Sequence, residues 1–577
     1  MLSAIDRETE NRLFDEIERS EFERHLDAFE GLRRYPGTDD ERRASEYVVE
    51  TLSEYGVDAT LHTHEGYVSV PESATVTVTT PTRKELGDAI TVAFSASTPP
   101  DGTTGAVVAV EDASDIGGDA AGEILLLPEG NPNSGRVRAA EEAGARAVIC
   151  QSPNEHVYEG IVSPVWGAPT PDDVDDLPSL PVAEVPHAAG EWLRDRLRRG
   201  PVEATVNTQV TTETRTLPCP VGRIEGRSDR YLLVGNHVDS WHEGITDNAT
   251  AMAATLEIAR ILADRDLERG VVFGFWAAHS TGRYAGSTWY ADEHWMDLRE
   301  NGVAYLHLDL NGLKGADSLW YQHMAELEAE HLDAMDVATD LAIGETSEGY
   351  LGATGRPARN SDQSFWGAGL TSLLSGARLP PESEEGGPLG GGWWWHTPED
   401  TRDKVDLDVL VEETKLYLAL TARLCASPVL PHDYRATVDD FETVLDEIEE
   451  SADEAFDFEG PRGRLTRLDA LLDEVYTEVD ARVPADDALS RAFEDLQVRL
   501  GNVLNPALYL GGEEYEQEAA LPGYARLPYL RAAESLPGST GRDRQFTLTA
   551  LRRGTNKLEH RLATAIRHTE QFRERWL

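Results

Sequence analysis

The stretch "RYLLVGNHVDSWHEGITDNATAMAATLEIARILADR", residues 230–265, decides the fold. Its opening apolar run is short enough to be a strand buried on both faces. It enters a polar loop, and a helix opens at Asp247 and Asn248, residue types that favour helix N-termini. Strand, loop, helix is the repeating unit of an α/β sheet, and such sheets hold ligands where their strands end. Here His237 and Asp239 sit at alternate positions at the strand end, with Asp247 following. A metal-bound imidazole needs a neighbouring group to fix it, and Asp239 is placed to help.

Working outward, "GVVFGFWAAHS" (270–280) and "VAYLHLDLNG" (303–312) read as further strands, the second carrying Asp309. "WWWHTPEDT" (393–401) reads as a loop and carries His396. Two His and two Asp at strand ends and loops are the ligand types a zinc pair would use. Singly each is a common surface turn; in this order, on these elements, the set is specific.

The flanks differ. Residues 1–60 read as helices, with "RRASEYVVETLSEYG" ending at Gly56. Near 75–208 short β-rich runs are broken by Gly, Pro and Asp, with a few helices between them. Residues 209–430 alternate strands and helices, and 431–577 are amphipathic helices. We therefore expect an N-terminal segment 1–74, a β-rich insert 75–208, an α/β domain 209–430 and a helical domain 431–577.

Composition narrows the function. The chain has 577 residues with 52 Lys and Arg against 105 Asp and Glu, a formal charge of −53. That argues against nucleic acid and anionic membranes as partners. The basic residues are nearly all arginine, and the acid is spread along the chain, as in halophilic proteins whose surfaces stay hydrated in concentrated salt. Three scattered cysteines suggest neither disulfides nor a thiolate metal site. The charged N-terminus lacks a signal-peptide pattern and no apolar run reaches a membrane span, so the expected location is the cytoplasm.

Residues 209–410 resemble the catalytic domain of the zinc exopeptidases related to aminopeptidases and glutamate carboxypeptidase. The resemblance rests on "HVDSWHEGITDN" for the H-x-D…D motif, "FWAAHSTGRYAGS" for F-W-x-A-E-E-x-G-x-x-G-S, "HLDLNG", "NSDQSFWGAGL" for S-D-x-x-F, and "HTPEDT" for H-T-x-x-D-T. Residues 75–208 resemble the protease-associated insert of the carboxypeptidase and transferrin-receptor relatives, and 431–577, more faintly, their helical dimerisation domain. The implied fold is an α/β/α zinc-exopeptidase domain with a β-rich insert and a C-terminal helical domain.

By that resemblance His237, Asp247, Asp309 and His396 hold one or two ions, zinc by preference, with cobalt or manganese as alternatives. His237 and Asp309 would serve separate ions or the groups around them, and Asp247 would bridge. Such a pair polarises a scissile carbonyl and acidifies a water. The departure falls at the family's two glutamates: the general base is replaced by His279 and the zinc ligand by Ser280. A neutral His279 can act as base, become a ligand, or only hydrogen-bond in a packed turn. His307 faces the same side of its strand as Asp309 and reads as structural rather than catalytic.

The expected function is a metal-dependent exopeptidase acting on a peptide or small amide. His279 and Asp239 are its catalytic candidates; Arg283, Tyr284, Arg359 and Trp395 are its substrate contacts. A homodimer through the C-terminal helices is expected as partner. Two alternatives stay open: a non-catalytic scaffold like the transferrin receptor, favoured by the loss of both glutamates, and a single-zinc amide-chemistry enzyme like the glutaminyl cyclases.

Overall fold

A computed structural model describes residues 5–111, 116, 120–343, 355–380, 383–452, 455–483, 486–520 and 526–577. Its strands are β1 (Asp58–Thr80), β2 (Lys84–Glu85), β3 (Ile90–Thr91), β4 (Thr103–Ala109), β5 (Ile124–Leu126), β6 (Ala147–Gln151), β7 (Val182–Val185), β8 (Glu203–Ile224), β9 (Tyr231–His237), β10 (Gly270–Trp276), β11 (Gly302–His307), β12 (Ser318–His323), β13 (Ala342–Ile343) and β14 (Thr371–Arg378).

The middle of the sheet runs β12-β14-β11-β9-β10-β8. β9 is parallel to β10 and to β11, and β11 to β14, so their C-terminal ends share one edge. Alternate residues of β9 go to opposite faces. Leu232 and Val234 join Phe273, Leu306 and Met252 in one core, whereas Tyr231 and Leu233 join Val272, Tyr305 and Phe365 in another. With both faces covered, the central strands are apolar runs without polar alternation. The helix read from Asp247 onward begins slightly later, at Thr250–Leu262, behind a π-type turn at Ile245–Ala249.

β1 and β8 pair antiparallel along nearly their whole length, from Asp58 with Arg223 to Thr80 with Glu203. The far end of β8 pairs with β4, and β5, β6, β7 and β3 continue outward from there. Residues 74/75 and 208/209, where a change of composition suggests boundaries, therefore lie inside two continuous strands. The four long helices Tyr434–Ser451, Glu459–Arg482, Asp487–Tyr509 and Gly541–Trp576 pack around a core of their own, built from residues such as Phe441, Leu472, Phe493 and Leu562. Among the described residues no helix is long and apolar enough to cross a membrane.

Candidate metal centre

Three strand ends converge. His237 closes β9, His279 lies three residues past β10, and Asp309 lies two residues past β11. Asp247 comes from the turn before its helix, and His396 from the loop after β14. His237 Nε2 lies 3.1 Å from Asp247 Oδ1 and 3.5 Å from Asp309 Oδ1. The other Asp247 oxygen lies 3.1 Å from His396 Nε2. Of the two readings of His237 and Asp309, as ligands of separate ions or as the groups around them, the 3.5 Å approach of their side chains favours a shared position, and Asp247 spans from His237 to His396.

The donors fit a divalent cation. His237 Nδ1 donates to the Asp239 carbonyl at 2.9 Å, leaving the Nε2 lone pair for a ligand. That Nε2 is buried and makes no hydrogen bond, although two carboxylates stand beside it. Burial pushes the His237 pKa down, but Asp239, Asp247 and Asp309 hold it well above the ordinary value. Asp247 and Asp309 are shifted the other way: burial raises them and the histidines more than reverse it. Among the described residues, His237, His279 and Asp309 form the one group of three His, Cys, Asp or Glu donors within 4.8 Å of one another.

His279 stacks on His237, ring centroids 3.9 Å apart and planes 13° from parallel. Its Nδ1 donates to Asp362 Oδ2 at 2.7 Å. The Ser287 hydroxyl donates to the other Asp362 oxygen, also at 2.7 Å. A carboxylate only accepts, so Nδ1 carries the proton and Nε2 presents a lone pair, 3.9 Å from Asp309 Oδ2. Asp362, inside the quoted "NSDQSFWGAGL", went unrecognised because its partner is 83 positions away.

Asp239 is not a reacting group, contrary to the sequence reading. It is fully buried, and its two oxygens accept the backbone N–H groups of His279 (2.9 Å) and Ser280 (3.0 Å). It anchors the turn that aims His279. That turn holds three residues between Gly282 and Gly286, one more than the family pattern, and Arg283 and Tyr284 adopt left-handed φ of 49° and 71°. Gly286 permits the turn to close, since a Cβ there would lie 2.5 Å from the Ala277 nitrogen. Further non-glycine residues with left-handed φ, Ala278, Leu310, Ser361 and His396, lie in or beside the same site, where backbone strain tends to collect.

His307 belongs to a hydrogen-bond chain of one polarity. Trp276 Nε1 donates to the Tyr305 hydroxyl (3.0 Å), which donates to His307 Nδ1 (2.8 Å). His307 Nε2 donates to Ser361 Oγ (2.6 Å), and Ser361 donates to Asp309 Oδ2. The imidazole thus orients a ligand-type carboxylate, in keeping with its structural reading. Asp400, the acid of "HTPEDT", accepts the N–H groups of Thr246 (2.9 Å) and Asp247 (3.1 Å) and fixes the turn that carries Asp247. Burial lifts the Asp400 pKa to about 7.

A cavity of roughly 350 Å³ opens over Asp247, His279 and Asp309. Tyr284 lines it and packs edge-on to His279 at 4.9 Å. Trp395 lines it and stacks on His396 at 3.5 Å. Arg283 lines it with a buried Nε that has no hydrogen-bond partner. Arg359 is not a spare cation: it donates to the Glu518 carbonyl at 2.9 Å and sits between Trp166 and Trp366. Asn131–Ser134 and Tyr158–Ile161, from the β4–β7 region, and Ala520 close the remaining walls. Within the tryptophan run, Trp393 stacks on His156 of that region at 4.4 Å, and Trp394 is buried.

A parallel-centred sheet covered on both faces, with His and Asp side chains gathered at its strand ends, is an arrangement that suits a metal-dependent hydrolase. Residues 221–421 match the model of Peptidase family M28. The chain is 28% identical over 414 residues to the "Probable lipoprotein aminopeptidase" of Mycobacterium tuberculosis, covering 65% of this chain and 78% of that protein. It is 34% identical over 123 residues to an aminopeptidase of Mus musculus, covering 20% of this chain and 16% of the relative. A glutamate carboxypeptidase homologue of Caenorhabditis briggsae is 26% identical over 307 residues, covering 41% and 40%. The chain thus spans less than half of these two relatives. The solved aminopeptidase from Aneurinibacillus sp. strain AM-1 superposes with a TM-score of 0.55 at 20% identity, covering 72% of this chain and 96% of that one. A zinc aminopeptidase from Bacillus subtilis superposes with a TM-score of 0.54 at 20% identity over the same shares. Over residues 221–421 the chain is thus similar to Peptidase family M28, and these likenesses support a metallopeptidase-like hydrolase.

Proposed function

We propose that this protein is an exopeptidase that cleaves an amide bond at the end of a peptide or small amide substrate, with zinc held by His237, Asp247 and Asp309. The observation that carries it is the buried, unbonded His237 Nε2 facing Asp247 and Asp309. A divalent ion bound there polarises the scissile carbonyl and activates water.

The chain's own residues supply the rest. His279, whose Nδ1 bond to Asp362 turns the Nε2 lone pair toward the site, takes a proton from the attacking water at Nε2 and returns it to the leaving amine. Asp239 and the Gly282–Gly286 turn hold that imidazole in place. Tyr284 and Trp395 wall the cavity and exclude solvent, and Arg283 offers a cation to an anionic group of the substrate. A cavity walled from three regions of the chain suits a chain end better than a continuous strand. We further propose a protease-associated role for the β4–β7 region, a dimer through the C-terminal helices and a cytoplasmic location.

The test is metal content together with hydrolysis of aminoacyl amides. Wild type is expected to hold metal and cleave, and Asp247→Ala to lose both. His279→Ala is expected to keep its metal and lose turnover. Wild type that stays metal-free after zinc, cobalt and manganese are added back would sink the proposal.

A further inference from the structure

We infer that this centre takes a single divalent ion, on the His237 side of Asp247, and that His396 holds no second ion. The inference rests on the metallopeptidase reading above and concerns what surrounds each oxygen of Asp247.

The two sides differ in donors. On one side Asp247 Oδ1 is joined by His237 Nε2 at 3.1 Å, and His237 by Asp309 Oδ1 at 3.5 Å, with His279 close by. That is three protein donors, the number an open zinc site uses. On the other side Asp247 Oδ2 has His396 Nε2 at 3.1 Å. Among the described residues no third His, Cys, Asp or Glu joins that pair. Ser280, at the position of the family's second glutamate, lines the same cavity with a buried Oγ that has no hydrogen-bond partner. A neutral hydroxyl is a poor ligand for zinc, and Ser280 adds no charge.

Charge points the same way. Two carboxylates, Asp247 and Asp309, face the donor nitrogens, and together they balance one divalent ion. Asp362 is committed to His279 and Ser287, Asp239 to two backbone amides and Asp400 to the turn at Thr246, while Glu159, which also lines the cavity, has its Oε1 3.8 Å from His242 Nε2. A second ion would leave two uncompensated positive charges in a buried site, and burying unpaired charge is costly. His396, meanwhile, is fixed without a metal. Its Nδ1 donates to the Glu159 carbonyl at 2.6 Å, and Trp395 stacks on its face at 3.5 Å.

The experiment counts ions in the full-length protein, by elemental analysis and by cobalt titration followed through the visible absorbance. Wild type is expected to saturate at one equivalent. His396→Ala is expected to keep that equivalent, and His237→Ala to lose it. Ser280→Glu, which adds a donor and a negative charge, is expected to saturate at two. Two equivalents in wild type would overturn the inference, as would an empty His396→Ala protein. One equivalent in folded Ser280→Glu would remove Ser280 as the missing donor. No ion in wild type would overturn the metallopeptidase reading itself, so the two failures are distinguishable. Circular dichroism checks folding of each variant; if Ser280→Glu does not fold, the wild-type and His396→Ala counts still decide.

Discussion

His279 Nδ1 donates to Asp362 Oδ2 across 2.7 Å, and the oxygen on the other side of that carboxylate is held by Ser287 at the same distance. The pair fixes both the ring orientation and the nitrogen that stays free of a proton. Asp362→Asn keeps the volume but can offer an amide N–H to Nδ1, which moves the ring proton to Nε2 and removes the base. We predict that kcat falls about 10–100-fold, the usual cost of losing a supporting group around a metal site, while KM changes little. Steady-state kinetics on an aminoacyl amide check it. A parallel rise in KM with unchanged kcat would mean that Asp362 shapes the substrate pocket instead.

Ser361 transmits the Trp276–Tyr305–His307 chain to Asp309. Removing its hydroxyl leaves His307 Nε2 without an acceptor and frees Asp309 to rotate. Ser361→Ala should weaken metal affinity about 10–100-fold with the fold retained. Competition with a chelating dye measures this directly. Unchanged affinity would show that Asp309 is held well enough by its surroundings.

The candidate ligands could be picked out because His237 and Asp309 lie at strand ends and Asp247 and His396 in the loops beside them, where element type and chemistry can be read together. The structure brings the side chains of His237, Asp247, Asp309 and His396 close together. What supports them was not legible: Asp362 reaches His279 across 83 positions, and Ser361 reaches Asp309 across 52. Such partners are chosen by tertiary packing, and no local period records them. Asp239 was legible only in part: its carboxylate lies 3.7 Å from His237 Nδ1, but its hydrogen bonds go elsewhere. The H-x-D spacing suggests a carboxylate acting on the imidazole, yet the backbone carbonyl of Asp239 meets His237 and the carboxylate goes to amides of another loop. The long β1–β8 ribbon was hidden by its changing composition, which reads as a boundary although the hydrogen bonding continues.

Arg269 joins the α/β domain to the C-terminal helices. Its guanidinium pairs bidentately with Glu494 at 2.8 and 2.9 Å and donates to the carbonyls of Leu424 and Ser427. Both side chains are buried. Arg269→Met strands a buried carboxylate and should cost about 3–5 kcal/mol, whereas pairing it with Glu494→Leu should recover much of that loss. Urea midpoints of the two single variants and the double variant test the coupling. Additive losses would mean that the carbonyl bonds of Arg269, not its charge partner, hold the junction.

Glu184 gives the fold a pH slope. It lies in β7, fully buried, and burial pushes its carboxyl up to about 8 against an ordinary 4.5, with Ser152 and the Tyr158 backbone offsetting part of the shift and Glu159 adding to it. A raised acid is protonated in the folded state while the unfolded chain has already ionised. Between about 4.5 and 8 the folded state therefore holds the extra proton, and raising the pH favours unfolding. The expected loss is about 1.4 kcal/mol per pH unit at most, levelling off above the folded value. Glu184→Gln keeps the hydrogen-bonding shape without the charge, so it should match wild type near pH 5 and exceed it at pH 8. Urea unfolding at both pH values measures the difference. Equal slopes in the two proteins would mean that Glu184 ionises in place, through water reaching the β7 face.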